Sequence, residues 1–549
     1  MSSSPKSKTS SASAADEPAP RRWSAGWRWA HLLLCGAGGF AQCLGFAGFS
    51  LWPFALFCFL PMMWVLDREL GLWPREGEPV DPASTKRVLA LGLFHGFVGY
   101  TGGYYWLYTF LETFSGFGPL PSVGFASIFW LYQGGQQMLI YWLYARARRR
   151  GWAVTPAAVA ALLALELVYP VLFPAYLASG FHEVPLFLQV ADLGGPMLLS
   201  GVVMGVNAGV YVALRTWKLG LPWPKKTLAA IAFAVLFTLG YGAWRIAEVD
   251  GRVAEASMAT VGTVQVDMGI FAKREEPYEG HRRHLSQSRR LEAREDLDLL
   301  VWPESAYTFF LPDGMTDVSR RVLQGIDAPT LFGGLARREV DGDWRHYNTA
   351  YLTDTDGQVL ATYDKTYLLA FGEYLPFGET FPILYEWSPN SGHFTPGDHV
   401  RPLILERPED ETLRISTLIC YEDVLPGFTR AAVREAEPNL LVNITNDAWF
   451  GDTHEPWIHL ALAKFRAVEH HRALVRSTNS GVTAFVDPVG RTLGTIDVGE
   501  RDELSAELPL LDSPTLYQWV GDWPGYLSLI LIVLMAFVRR REPEAVSAS

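Results

Sequence analysis

Three residues of this chain have side chains suited to covalent chemistry, and each stands at the end of a short apolar segment. They are Glu304, Lys365 and Cys420. A thiol reacts as its thiolate, and a carboxylate in a dry cleft can act as the base that removes its proton. A nearby ammonium group favours the thiolate and stabilises an oxyanion. Together the three residue types are those of catalysis through a cysteine nucleophile.

Cys420 is the one cysteine outside the apolar N-terminal segments, which contain Cys35, Cys43 and Cys58. It therefore has no disulfide partner in its own region. A free cysteine is commonly a small buried hydrophobe, so its presence alone favours a packing role. Its position, directly after an apolar strand and before a polar turn, indicates instead that the sulfur faces a cleft. Its two companions make the catalytic interpretation the stronger one.

The elements that would position these residues are short strands alternating with helices over residues 250–515. The predicted helices cover 277–295, 314–326, 424–436 and 456–470. The predicted strands cover 260–266, 297–302, 330–335, 350–353, 413–419, 440–444 and 482–486. This mixture predicts a mixed sheet faced by helices, in an α/β or layered α+β domain. Strand ends at one edge of a sheet converge, so the three residues can share a cleft.

The rest of the chain is too apolar for an ordinary soluble protein. Of its 549 residues, 49% are hydrophobic and 19% are charged. Eight apolar segments are candidate membrane spans. They cover residues 29–49, 51–66, 88–111, 121–145, 154–173, 187–214, 227–246 and 519–538. The second segment contains two prolines, so a re-entrant hairpin is an open alternative to a full span.

Charge alternates regularly between the loops that join these segments. Basic residues follow the second, fourth, sixth and eighth segments, whereas the loops after the first, third and fifth contain no Lys or Arg. The positive-inside rule then places both termini in the cytoplasm and residues 250–515 on the outer face. Basic residues precede the first segment, as in a cleaved signal peptide, but the long polar leader and the further spans that follow favour an uncleaved anchor. The net charge of −12 argues against nucleic acid as a partner.

The predicted organisation is therefore a multi-pass membrane protein with one inserted domain. Residues 1–22 are a disordered cytoplasmic tail and 23–249 a bundle of seven spans. Residues 250–515 are the catalytic domain, 516–541 the last span and 542–549 a second cytoplasmic tail.

Short motifs around the three residues carry a resemblance to a known superfamily. Residues 302–304 (Trp-Pro-Glu), 363–365 (Tyr-Asp-Lys) and 419–422 (Ile-Cys-Tyr-Glu) resemble the Glu–Lys–Cys triad of the nitrilase, or carbon–nitrogen hydrolase, superfamily. Residues 443–451 and 472–481 match it further. The eight spans, with the domain inserted before the last one, resemble the apolipoprotein N-acyltransferase family of Gram-negative bacteria. That family's Lys-x7-Glu-Tyr-x-Pro-Phe pattern occurs here as Lys365, Glu373, Tyr374, Pro376 and Phe377.

The resemblance implies a fold and a location. The fold is an α-helical membrane bundle of about eight transmembrane helices plus a nitrilase-like α-β-β-α sandwich. The location is the bacterial inner membrane, with both termini cytoplasmic and the catalytic domain periplasmic.

The resemblance also implies roles for individual residues. Cys420 is the nucleophile, Glu304 the general base, and Lys365 stabilises the tetrahedral intermediates together with the backbone N–H of Tyr421. Glu373 is a second carboxylate that supports Lys365 or the attacking amine. Glu422, like Tyr421, matches a residue required around the cysteine.

The function implied is transfer of an acyl chain from a membrane phospholipid to the N-terminal amine of a diacylglyceryl-cysteine apolipoprotein, through a thioester. Phosphatidylethanolamine is the expected donor, and the protein is expected to act as a monomer. The alternatives are a membrane-anchored amidase or nitrilase that hydrolyses a C–N bond, and a non-catalytic scaffold. No organic cofactor or metal is expected.

Two details bear on this interpretation. His454, His459, His470 and His471 suggest a metal cluster, but their spacing matches no zinc pattern, and we interpret them as helix-surface or packing residues. The family's Val-Gln-Gly-Asn is Val-Gln-Val-Asp at 264–267, with Lys273 where the family has a Trp. We therefore expect the first loop of the domain to contact substrate differently.

Between residues 367 and 397 the chain is mostly loop and strongly apolar. It leaves directly from Lys365. We interpret it as a lid that dips into the membrane interface, with a loop packed on the domain as the alternative.

Overall fold

The computed structural model describes residues 25–73, 83–387, 391–408 and 410–540. The two tails predicted to be cytoplasmic, 1–22 and 542–549, lie outside the described residues. What remains forms two regions, here called the helical part (25–253 and 516–540) and the sandwich (258–509).

Long helices account for most of the helical part, because an apolar segment that forms an α-helix satisfies its backbone hydrogen bonds internally. The helices before the sandwich are α1 (Ala25–Leu44), α2 (Leu60–Glu69), α3 (Thr85–Gly103), α4 (Trp106–Ser115), α5 (Pro119–Arg149), α6 (Val154–Val168), α7 (Pro185–Leu188), α8 (Ala191–Leu219) and α9 (Lys225–Val253). Those that follow the last strand are α15 (Leu516–Val520) and α16 (Trp523–Phe537).

Each predicted span coincides with helix, although the boundaries differ. The second span is a short 3-10 turn, Trp52–Leu56, followed by α2, and the third is divided between α3 and α4. Only α8 and α9, among the described helices, are both long and apolar enough by themselves to cross a bilayer; α6 and α16 are apolar but shorter. Passage of eight helices through a membrane therefore stays a prediction.

The sandwich contains two β-sheets. Their strands, in chain order, are β1 (Met258–Gln265), β2 (Leu299–Val301), β3 (Tyr307–Pro312), β4 (Thr330–Val340), β5 (Asp343–Thr353), β6 (Val359–Asp364), β7 (Leu403–Leu405), β8 (Leu413–Ile419), β9 (Leu440–Thr445), β10 (Ala473–Thr478), β11 (Thr483–Val486), β12 (Thr492–Ile496) and β13 (Asp502–Pro509). The first sheet has the order β13-β1-β2-β4-β5-β6, with β3 beside β4, and the second has the order β12-β11-β10-β9-β8-β7.

The two sheets pack face to face, with helices on both outer faces. The helices of this region are α10 (Ile270–Glu275), α11 (Pro277–Glu292), α12 (Ile383–Trp387), α13 (Pro426–Ala436) and α14 (Glu455–His470). One apolar core between the sheets joins Val261 and Leu299 of the first sheet to Ile415 and Val442 of the second. A second core lies between the first sheet and α11, and a third between the second sheet and α13 and α14. The α-β-β-α layering implied by the resemblance is present.

Several elements differ from the sequence-based expectation, and strands β3, β7 and β10 lie outside the predicted set. The helix predicted over 314–326 is a single wide turn, Ser319–Leu323. Strand β13 was not predicted, because its sequence DELSAELP lacks the alternation typical of strands. It forms because all eight of its residues pair with β1. Tertiary pairing thus overrides weak local propensity there.

Helix α14 connects the sandwich to the helical part. Lys464 Nζ lies 3.2 Å from Glu183 Oε1. His471, directly after the helix, places Nε2 3.1 Å from Asp192 Oδ2 at the start of α8. Because α14 also packs on the second sheet, it fixes the sandwich against the helices.

Candidate active site

Cys420 stands at the turn where β8 ends. Its φ angle is +53°, a left-handed conformation that is uncommon outside glycine, and it begins the 3-10 turn Cys420–Val424. Such strain costs on the order of 1–3 kcal/mol and persists only where surrounding contacts enforce it. Here Asn443 Nδ2 donates to the carbonyl oxygens of Leu418 and Cys420 at 3.1 and 3.2 Å. The turn raises the thiol out of the inter-sheet core toward a cleft.

Glu304 follows β2 and is 7% exposed. Its Oε1 accepts a hydrogen bond from Asn348 Nδ2 at 2.6 Å. The backbone beside it is packed so closely against β4 that a Cβ on Gly333 would lie 2.6 Å from the carbonyl oxygen of Pro303. Glu304 is therefore held firmly on the cleft side of the first sheet.

Lys365 follows β6 and is 1% exposed. Its Nζ lies 2.7 Å from Glu373 Oε2 and 3.9 Å from Glu304 Oε1. Burial alone would lower the pKa of this ammonium, but the negative charges of Glu373 and Glu304, and that of Cys420 in its thiolate form, outweigh burial and raise it. Lys365 is therefore a permanent cation facing the groups predicted to react.

Burial raises the pKa of the Cys420 thiol well above its usual range, and the charge of Glu304 raises it further, against the opposing effect of Lys365. The sulfur is therefore a neutral thiol at neutral pH. A nucleophile of this kind must lose its proton as it attacks, so a base within reach is essential. The electrostatic interactions of Cys420 with Glu304 and Lys365 put all three predicted residues in one cleft.

Glu422 lies behind the nucleophile and is fully buried. Its Oε1 accepts from the Tyr363 hydroxyl and from the backbone N–H groups of Thr366 and Tyr367, and its Oε2 accepts from the N–H of Ile419, at 2.8–2.9 Å. Burial raises the pKa of Glu422 to about 7, although these hydrogen bonds lower it. Its contacts join the chain after Lys365 to the turn that carries Cys420, which makes it a positioning residue.

Tyr421 connects the same turn to the helical part. Its hydroxyl donates to the carbonyl oxygen of Leu172, and its ring lies 6.1 Å from that of Phe173. A narrow apolar pocket of about 30 Å³ opens beside it. Both regions contribute to the lining: Tyr104, Trp106, Phe173 and Pro174 from the helical part, and Leu369, Cys420, Tyr421, Val424, Phe450, Glu455, Ile458, His459 and Leu462 from the sandwich.

A closed set of charges lies on the other side of the nucleophile. His459 contacts Asp423 at 2.8 Å and Asp447 at 3.2 Å, while Arg476 contacts the same two carboxylates at 3.1 and 2.8 Å. Burial and Arg476 lower the pKa of His459, but the two carboxylates outweigh them and raise it to about 10. Asp447, Glu455 and His459 could be brought to one metal ion by distance alone. The Arg476 guanidinium binds Asp447, one of these three residues, so Asp423, Asp447, His459 and Arg476 form an ion-pair network.

The histidines of this region lie mostly in the interior. His459, His470 and His471 are all buried, so the helix-surface part of our interpretation is wrong for these three and the packing part holds. His454 lies against the helical part, where its Nδ1 is 2.9 Å from the carbonyl oxygen of Gly48.

Asn348 is a residue of the site that sequence reasoning missed. Its Nδ2 donates to Glu304 at 2.6 Å and to Glu373 at 3.2 Å, so one amide orients two carboxylates. The sequence did contain a signal, an asparagine within the apolar part of β5. A buried amide needs hydrogen-bond partners, so such a residue indicates polar groups nearby. Arg476, fully buried in β10, gave the same kind of signal.

The structure thus brings the predicted site residues together, in two sets that differ in what they contact. Glu304, Lys365, Glu373 and Cys420 form one electrostatically linked group. Tyr421 and Glu422 hold the turn from either side. The altered first loop continues into α10, and Asp267 there has a positive φ of +46°.

Comparison with known proteins gives matches in both regions of the chain. Residues 260–514 match the carbon-nitrogen hydrolase family, and residues 38–209 match the apolipoprotein N-acyltransferase N-terminal domain. A crystal structure of Saccharomyces cerevisiae Nit3, a member of branch 10 of the nitrilase superfamily, superposes with a TM-score of 0.35 at 16% identity, over 48% of this chain and 93% of that one.

Relatives extend over almost the full length of the chain. The apolipoprotein N-acyltransferase of Pseudomonas putida is 30% identical over 546 residues, which is 94% of this chain and 98% of that protein. The protein of the same name from Bdellovibrio bacteriovorus is 31% identical over 526 residues, 89% of this chain and 90% of the other. With both regions matched in one continuous alignment, the chain belongs to the apolipoprotein N-acyltransferase family.

Proposed function

We propose that this protein transfers an acyl chain from a membrane phospholipid, through a thioester on Cys420, to the N-terminal amine of diacylglyceryl-cysteine apolipoproteins. Family membership supports lipoprotein N-acylation as the activity. One observation carries the proposed mechanism. The pocket beside Cys420 is apolar and is lined by both the helical part and the sandwich. A small polar amide gains nothing from such a pocket, whereas an acyl chain entering from a bilayer does.

In the first half-reaction the Cys420 sulfur attacks the carbonyl carbon of the phospholipid ester, and Glu304 takes the thiol proton. The oxyanion that forms is stabilised by Lys365, which is kept charged by its carboxylate neighbours. The tetrahedral intermediate collapses with loss of the alkoxide, which receives the proton from Glu304 and leaves as a lysophospholipid. The acyl group remains on sulfur as a thioester.

In the second half-reaction the amine of the apolipoprotein attacks the thioester carbonyl. Glu304 accepts the proton that the amine loses, and Lys365 again faces the oxyanion. Loss of the Cys420 thiolate completes the amide, and the thiolate recovers its proton from Glu304. Glu373, 2.7 Å from Lys365, keeps the ammonium in place through both steps. The cycle is a ping-pong reaction with two lipid-held reactants, whose encounter is favoured by their confinement to one surface.

The membrane arrangement follows the loop charges. Residues 23–249 and 516–541 would lie in the inner membrane, with both termini in the cytoplasm. Residues 250–515 would then be periplasmic. We further propose phosphatidylethanolamine as the acyl donor and a monomer as the active form.

The segment after Lys365 is proposed as the lid through which lipid enters. Several of its apolar side chains are exposed: Tyr367, Phe371, Tyr374, Phe377, Phe381 and Ile383. An exposed apolar set of this size is unusual unless it meets a membrane or a partner. Phe377→Asp should reduce turnover on bilayer phospholipid more than on a short soluble acyl ester. Equal loss on both substrates would show that the segment only packs on the domain and does not admit lipid.

The experiment that tests the mechanism is peptide mass spectrometry of the purified protein after incubation with phospholipid. We expect an acyl mass, released by hydroxylamine, on the peptide that contains Cys420 and none in Cys420→Ala. The buried Cys35, Cys43 and Cys58 serve as internal controls and should stay unmodified. Unmodified Cys420 in protein that releases ammonia from amides would favour hydrolysis of a C–N bond instead.

A further inference from the structure

A pocket lined by arginines lies at the end of the helical part that is remote from the sandwich. Arg146, Arg149 and Arg150 come from the end of α5, and Arg539 follows α16. Helix α16 begins just after the sandwich and continues for 15 residues, about 22 Å, before it reaches this pocket. The remaining lining residues are Thr85, Val88, Trp142 and Ala145, around a space of about 410 Å³. The pocket is therefore separate from Cys420.

The four guanidinium groups have no anionic partner in the part of the chain that the structure describes. Neighbouring cations do have one. Arg148, between Arg146 and Arg149 in sequence, is bound by Asp67 through two contacts of 2.9 and 3.0 Å. Like charges around one cavity repel one another, so an uncompensated set of four favours an added anion. The positive-inside rule explains basic residues at this end, but it does not require that they converge on a cavity.

Backbone contacts hold three of these side chains in place without neutralising them. Arg146 Nε donates to the carbonyl oxygen of Ala536 at 3.0 Å, and Arg150 Nη1 to that of Phe537 at 2.7 Å. Arg149 donates to the carbonyl oxygen of Ala83. Each guanidinium has five N–H donors, so most donors remain for a ligand. Planar donors fixed in this way suit phosphate oxygens.

An apolar path leads away from the pocket along α16. Ile530, Leu534 and Phe537 are 60%, 50% and 66% exposed. Their spacing of four and three residues puts them on one helix face that ends beside Arg539. A ligand with a phosphate at one end and hydrocarbon at the other matches both features.

We propose that this pocket binds the headgroup of an anionic phospholipid, whose acyl chains lie along the exposed face of α16. The site goes beyond the acyl transfer reaction and is independent of which lipid donates the acyl chain. It requires only that the helical part is embedded in a membrane. Basic pockets between helices at a membrane surface are suited to such headgroups.

The test uses the full-length protein in a neutral detergent. Native mass spectrometry and thermal unfolding are followed with phosphatidylglycerol, with zwitterionic phosphatidylcholine, and with inorganic phosphate. We expect phosphatidylglycerol to remain bound and to raise the melting temperature, and the other two to do neither. An equal shift from inorganic phosphate would overturn the proposal in favour of a simple anion site. Equal retention of phosphatidylcholine would reduce the pocket to a non-specific lipid contact.

Paired variants identify the site. Arg149→Gln with Arg539→Gln should weaken phosphatidylglycerol binding about thirtyfold, since each arginine near a membrane surface contributes about a fivefold factor. The matched control, Lys225→Gln with Lys226→Gln, removes the same charge at the start of α9, outside this pocket. Unchanged affinity in the first pair, or equal loss in the control pair, would contradict the assignment.

Acylation of Cys420 by a short soluble ester, which needs neither arginine, reports whether each variant is folded. It also separates failure of this site from failure of the proposed reaction. If the double variant does not fold, Arg539→Gln alone should weaken binding about fivefold. Its side chain makes no hydrogen bond to the described residues, so its loss disturbs little else.

Discussion

Two clusters of buried charge flank Cys420, and they are built differently. The front cluster consists of Glu304, Asn348, Lys365 and Glu373. Its single ammonium group contacts Glu373 closely and stands 3.9 Å from Glu304, beyond hydrogen-bond distance.

The rear cluster consists of Asp423, Asp447, His459 and Arg476. Each of its two carboxylates contacts both cations, at distances of 2.8–3.2 Å. Its charges balance, since the pKa of His459 is raised to about 10. Charge balance makes the rear cluster a fixed support, whereas the front cluster has one carboxylate more than it has ammonium groups, which suits the proton transfer proposed for Glu304. Substitutions in the two clusters should therefore affect different quantities.

The largest expected effect is on catalysis through the front cluster. Glu304→Gln keeps the size of the side chain but cannot accept a proton, so the rate of Cys420 acylation should fall on the order of 10²–10⁴-fold. The melting temperature should change little. Single-turnover mass spectrometry measures this rate, and Glu435→Gln, an exposed carboxylate of α13, is the control. A rate within fivefold of the wild type would remove Glu304 as the base.

The rear cluster should respond in stability instead. Arg476→Gln leaves Asp423 and Asp447 buried with one cation fewer, and breaking a buried ion pair in this way costs about 3–5 kcal/mol. Thermal unfolding of the full-length protein measures the loss. Arg434→Gln, at an exposed position of α13, should leave the melting temperature unchanged. If Arg476→Gln kept full stability but lost acylation, the rear cluster would have to be counted with the reacting groups.

The pH dependence of Cys420 reactivity sharpens the description of the front cluster. Because burial raises the pKa of the thiol, its alkylation by iodoacetamide should increase about tenfold per pH unit from pH 7 to 9. Lys365→Met removes a positive charge, which disfavours the thiolate and moves the increase to higher pH. Glu304→Gln removes a negative charge and moves it to lower pH. A rate independent of pH below 7 would show a stable thiolate and contradict this account.

A smaller effect is expected from the amide that connects the two front carboxylates. Asn348→Ala should lower kcat/KM about tenfold, a loss typical of one hydrogen bond to a charged group. The acidic limb of the pH–rate profile should move to higher pH, because the carboxylate form of Glu304 loses a donor. Asn439→Ala, a buried asparagine that bonds to Glu411 and Arg414, is the matched control. It should lower stability and leave the pH profile where it is.

The convergence of the predicted catalytic residues could be expected from the sequence for a particular reason. Each predicted catalytic side chain follows an apolar strand, β2, β6 or β8, and the carboxyl ends of such strands carry functional groups in layered folds. Asn348 was not predictable in the same way, because it lies inside β5 rather than at its end. Its function depends on the register that places it between Glu304 and Glu373.

The sequence by itself determined which segments are helical and apolar, which strands end in reactive side chains, and which family the motifs resemble. Periodicity and composition are local properties, and these conclusions need nothing more. Tertiary structure alone decided that β13 pairs with β1, that Glu422 joins two turns, and that four arginines converge on one pocket. These features join residues that are far apart in the chain, and burial decides which polar groups must find partners.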